Sequence, residues 1–139
     1  MDRDWITQEV QTAIQTAAGN GIPVYQGFRP ADESIGNVVT WWIEKSDPLE
    51  SENCTNHILV VRCWCTGDDA TDGISARNAS RNLAFQIAKN LRYYIIQREN
   101  PIRLAIFSPE ETARIANREQ EEFASRGWEM SFIVQTEEA

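Results

Sequence analysis

Apolar residues recur along the first segment at helical spacing. Ile6, Val10, Ala13, Ile14 and Ala17 are three or four apart, which predicts an amphipathic helix over 4–18. "GNG" at 19–21 supplies the glycine expected just past its C-terminus. "IPVYQGF" (22–28) predicts a short strand, confined by Pro23 to a strand start or an edge. "NVVTWWIEK" (37–45) alternates on a β-rich background, with Val39, Trp41 and Ile43 on one face and Val38 and Trp42 on the other. "HILVVRCWCT" (57–66) reads as its antiparallel partner across the polar loop "SDPLESENCTN". A helix over 74–97 follows "GDDATDG", with Ala84, Ile87, Ala88, Leu91, Tyr94 and Ile95 on one stripe. "ENP" stops it, "IRLAIF" (102–107) returns as a strand, and "WEMSFIVQT" (128–136) alternates Trp128, Met130, Phe132 and Val134 toward one side. Between these last two, 108–126 is either a short helix opened by Ser108, Pro109 and Glu111 or an exposed arm.

The expectation is a single α+β domain over 1–139. About five strands form a mostly antiparallel sheet, packed against an N-terminal helix and a long central helix. The length suffices for a real core, since a chain near 150 residues hides roughly 70% of its unfolded surface. Apolar content of 42% and charged content of 24% are ordinary for a globular chain. The start "MDRDWITQEV" has acids where a secretion signal carries bases, which predicts synthesis in the cytoplasm without export. No apolar run approaches the ~20 residues that cross a bilayer, so no membrane partner is expected. Thirteen basic against twenty-one acidic residues give a net charge of −8, which disfavours sequence-specific nucleic-acid binding.

Candidate chemistry is sparse. In "RCWC", Cys63 and Cys65 share one face of an extended strand, ~6.6 Å apart. Two thiolates on one zinc lie within about 4 Å of each other, and a disulfide brings its Cβ atoms to ~3.8 Å. His57, the sole histidine, is about 20 Å along an extended chain from Cys63. The cysteines, Cys54 included, therefore read as small packing residues, and an odd count of three argues against a disulfide framework. His57 has no nucleophile motif beside it and reads as a surface or capping group at a loop-to-strand junction. Asp68, Asp69 and Asp72 favour the positive end of the central helix without any metal, and "DDATDG" lacks the spacing of a calcium loop. "GNG" follows a helix rather than a strand, so no phosphate loop is present. The expectation is no enzyme, no catalytic or metal-binding residue and no cofactor.

The tryptophans are more informative. Trp42 and Trp64 both point away from the helix-covered face, which leaves two readings open: a partner surface, or packing within a two-sided sheet. Arg77 and Arg81 share a helical face. They read as a solvated strip or as a contact with acids of a neighbouring chain.

The order of elements carries a resemblance. A helix "WITQEVQTAIQTA" precedes a short strand and a Trp-rich strand. The unit "HILVVRCWCTGDDATDGISARNASRNLAFQIAKNLRYYI" and a polar arm with final strand, "REQEEFASRGWEMSFIVQT", then follow. This resembles the tail-terminator and neck (head-tail joining) proteins of tailed bacteriophages. The resemblance implies a structural virion protein of the tail or neck, made in the host cytoplasm. It implies assembly into a homo-oligomeric ring, a hexamer in the family, that caps the tail and joins it to the head connector. The partners implied are other copies, the tail tube or sheath protein and the head-connector protein, with DNA passing through an acidic lumen. The candidate subunit-interface residues are then Trp42, Trp64, Arg77, Arg81, Arg118 and Trp128. The alternatives are a head-completion or connector protein, or a non-phage α+β binding domain for a basic partner or a divalent cation.

Overall fold

The computed structural model describes residues 4–27, 36–49, 53–66, 73–99, 101–109 and 126–138. Helix α1 (Asp4–Ala18) leads into strands β1 (Val24–Gln26), β2 (Gly36–Pro48) and β3 (Cys54–Thr66). Helix α2 (Gly73–Leu91) follows, then β4 (Ile95–Glu99), β5 (Ile102–Pro109) and β6 (Arg126–Glu138). The fold is α+β. The six strands form one curled sheet, a half-barrel, in the order β1-β2-β3-β6-β5-β4. Among the described residues only β1 runs parallel to its neighbour, and the other pairings are antiparallel.

Both helices lie on the same face of the sheet. Val10, Ala13, Ile14 and Ala17 of α1 and Ala84, Ile87 and Leu91 of α2 pack with Val39, Trp41, Leu59, Val61, Cys63, Phe107, Met130, Phe132 and Val134 in one core. Period-2 alternation along β2, β3 and β6 delivers those strand residues to one side. Polar side chains fasten the layers. Gln11 accepts from Trp41 Nε1 at 2.6 Å and donates to the Val24 carbonyl at 3.0 Å, tying α1 to β1 and β2. Gln86 and Asn90 of α2 donate to the Ala17 and Ala18 carbonyls that end α1, satisfying acceptors a helix terminus leaves open. Gly19, at φ +107°, turns the chain out of α1 as "GNG" predicts.

Three expectations change. The central helix does not reach residue 97. It stops at Leu91, Tyr93 adopts φ +55°, and Tyr94 N–H turns back to the Leu91 carbonyl. The residues beyond, with β-branched Ile95 and Ile96, pair with Ile106 and Ala105 instead. Glu99 and Ile102 therefore pair at the end of a β-hairpin, and the described residues hold six strands where about five were expected. The loop predicted over 46–56 is mostly strand: Ser46, Asp47 and Pro48 face His57, Asn56 and Thr55 in register. His57 is accordingly inside β3, not at its junction. Ser108 and Pro109 end β5, while the helix-or-arm alternative over 110–125 lies outside the described residues.

Candidate functional site

The sheet is apolar on its helix-free face as well. Val38 and Val60 are buried there yet stand apart from the core under the helices. Register explains what shelters them: Val60 is the cross-strand partner of Trp42, and Val38 that of Trp64. Opposite pairs of this kind touch on one face of an antiparallel sheet. Both indoles remain partly exposed, and Ile58 and Ile133, paired across β3 and β6, extend the strip.

Between the two tryptophans lies the Thr40–Arg62 register pair. Arg62 Nε donates to Glu129 Oε1 at 2.7 Å, and its guanidinium stacks over the Trp42 ring at 4.6 Å. Trp64 Nε1 donates to Thr40 Oγ1 at 3.2 Å. The result is a half-buried ion pair set among aromatic and aliphatic side chains. An indole face attracts a guanidinium through its quadrupole, and Glu129 balances the charge.

The other predicted residues divide. Trp128 lies on the helix-covered face, only 8% exposed, against Phe85 at 6.2 Å between ring centroids. It belongs to the core, and little of it remains for a neighbour. Arg81 is exposed on α2 with its guanidinium 5.9 Å over Phe85. Arg77 belongs to α2; its side chain and the whole of Arg118 lie outside the described residues. The structure therefore joins Trp42 and Trp64 on one face and places Arg81 and Trp128 near Phe85 on the other. Arg62, Glu129 and Phe85 went unnoticed in the sequence. An arginine inside "HILVVRCWC" was the available signal for the first, but its partner is 67 residues away and emerges only from register.

His57 forms a second polar group, at the open end of the helix-covered face. Thr136 Oγ1 donates to the Thr55 carbonyl at 3.3 Å, so it accepts from His57 Nε2 at 3.1 Å. Nδ1 of the neutral ring then accepts from Ser46 Oγ at 2.7 Å. Burial pushes the His57 pKa below its ordinary 6.5, with the Glu138 carboxylate opposing that shift. A cavity of about 420 Å³ opens there, lined also by Trp5, Ile6, Ile43 and Pro48. Cys63, on the same face, has its thiol pushed up to about 12 by burial, which makes it inert as a nucleophile. Among the described residues, no group of three or more His, Cys, Asp or Glu is placed to hold a metal ion. Among them, too, no helix is long and apolar enough to cross a membrane.

No protein-family model matches this chain, and no curated protein matches it.

Proposed function

We propose that the chain is a structural virion protein, a tail-terminator or neck component that assembles into a ring, capping a phage tail and joining it to the head connector. The observation that supports this reading most directly is the helix-free face. Trp42, Trp64, Ile58 and Ile133 form an apolar strip around the Arg62–Glu129 pair, and a lone chain leaves it only partly covered. Large apolar strips with a polar component are what association surfaces offer. In this reading the partners are other copies, the tail tube or sheath protein and the connector, and the chain does no catalysis. The ring, a hexamer in the family it resembles, sits in the virion after synthesis in the host cytoplasm, and DNA passes through it without sequence-specific contact. A head-completion protein is the same reading moved one layer toward the portal.

Size-exclusion chromatography with light scattering tests it, on the chain alone and with tail-tube protein. The expected result is a closed oligomer that Trp42→Ala weakens; a monomer under both conditions would overturn it. The competing reading is a small binding domain, and the cavity beside Ser46, His57 and Thr136 favours it. A thermal shift on adding divalent cations, abolished by His57→Gln, would bring that reading forward.

A further inference from the structure

Four described cations carry ion pairs, and none of them is on a helix. Lys45 meets Asp47, Arg62 meets Glu129, Arg98 meets Glu9 and Arg103 meets Glu138. Helix α2 differs. Arg81 and Lys89 of the helix are exposed, as is Arg92 just past its end, where its N–H still bonds the Ala88 carbonyl at 3.1 Å, and none of the three has an ion-pair partner among the described residues. With Phe85 they occupy positions i, i+4, i+8 and i+11, which 3.6 residues per turn places on one flank about 16 Å long. The flank is aromatic as well as basic. Phe85 and, just past the helix, Tyr93 are 53% and 60% exposed, with Arg81 and Arg92 stacked on them at 5.9 and 5.4 Å. Helix α1 does not cover this flank, because it docks on the opposite one through Gln86 and Asn90.

A complementary surface lies on the same chain at the β4–β5 turn. A concavity of about 590 Å³ there includes Glu99, Ile102, Leu104 and Glu137. The arginines at its rim, Arg98 and Arg103, are engaged by Glu9 and Glu138. The carboxylates of Glu99 and Glu137 are exposed and have no cation partner among the described residues. Register sets Glu99 opposite Ile102 and Glu137 opposite Leu104, so the two carboxylates flank an apolar pair, and Ile102 is 60% exposed.

We infer that the α2 flank of one copy seats in this concavity of the next, with Phe85 against Ile102 and Leu104, and Arg81 and Lys89 meeting Glu99 and Glu137. The inference rests on the ring reading and deepens it. The two surfaces differ, so the contact is heterologous and repeats from copy to copy, as a ring requires. Opposite charge around an apolar centre fixes its register.

The test uses two full-length charge reversals, Arg81→Glu with Lys89→Glu, and Glu99→Lys with Glu137→Lys, each confirmed folded by circular dichroism. Each alone is expected to self-associate about tenfold or more weakly than the parent chain. Mixing them restores assembly, since each contact between unlike variants, as in an alternating ring, again joins opposite charges. Assembly of either variant at parental strength, or failure of the mixture to recover, overturns this contact and leaves the ring reading standing. A monomeric parent chain overturns both. An oligonucleotide that binds the parent chain and not the α2 variant would reassign the flank to nucleic acid and overturn the contact with a second copy.

Discussion

Trp41 and Trp42 are neighbours in sequence and opposites in environment. Trp41 is fully buried under the helices, its indole N–H held by Gln11. Trp42, one residue later, turns to the helix-free face and lies under the Arg62 guanidinium, partly open to water. The pleat alone separates them. The difference shows how one strand serves two tasks: up to the bulge after Ile43, Val39, Trp41 and Ile43 face the helices, while Val38, Thr40 and Trp42 form a second face that is closed at Val38 and Thr40 and half open at Trp42. The sharpest way to break this comparison is to truncate each indole. Trp41→Ala empties a closed site and is expected to lower stability by about 3–5 kcal/mol in urea denaturation. Trp42→Ala removes a half-covered side chain, and about 1–2 kcal/mol is expected, with a larger effect on self-association. Equal losses of stability would mean that both faces are core and that the helix-free face needs no partner.

The Arg62–Glu129 pair sharpens the same contrast at smaller magnitude. Its side chains are 20% and 29% exposed, between a surface pair and a buried one. Removing either partner strands a half-buried charge, so Arg62→Ala or Glu129→Ala is expected to cost about 1–2 kcal/mol. The exchanged pair, Arg62→Glu with Glu129→Arg, recovers part of that loss in a double-mutant cycle. It does not recover all of it, because the arginine no longer reaches Trp42. Full additivity of the single losses would show that the two side chains do not cooperate.

How much of this was legible in the sequence follows from the range of each signal. The α1 stripe and its glycine stop are local, and the structure reproduces them residue for residue over Asp4–Ala18. The faces of Trp41 and Trp42 follow from alternation, which is also local. The end of α2 was misread because Tyr94 and Ile95 continue the helical spacing of Leu91 as well as they begin a strand. What decided between them is pairing with β5, a contact invisible to a short window. The same limit hid the position of His57, since the extra length of β2 and β3 comes from pairing across their hairpin and with β6. The candidate surfaces were half legible. Trp42 and Trp64 stood out by type, whereas Glu129, Glu99 and Glu137 acquire meaning only once register sets them beside Arg62, Ile102 and Leu104.

The smallest expected effect probes the open end of the helix-covered face, where His57 marks the boundary between core and water. Burial depresses its folded pKa below the 6.5 of an unfolded chain, so the folded state prefers the neutral ring. The contribution to stability is therefore complete above about pH 6.5 and is lost as the pH falls through the folded value. Urea denaturation of the parent chain at pH 7.5 and 5.5 is expected to show that loss, and His57→Gln, which keeps an amide able to reach Ser46 or Thr136, is expected to lack it. Glu138 works in the opposite direction, holding the proton on the ring, so Glu138→Gln should depress the folded pKa further and steepen the loss. A parent chain and His57→Gln with the same pH dependence would mean that the ring charges in place without cost. The helix-covered face would then be open to water at this end, and the contrast between the two faces of the sheet would hold only along its middle, where Trp41 and Trp42 lie.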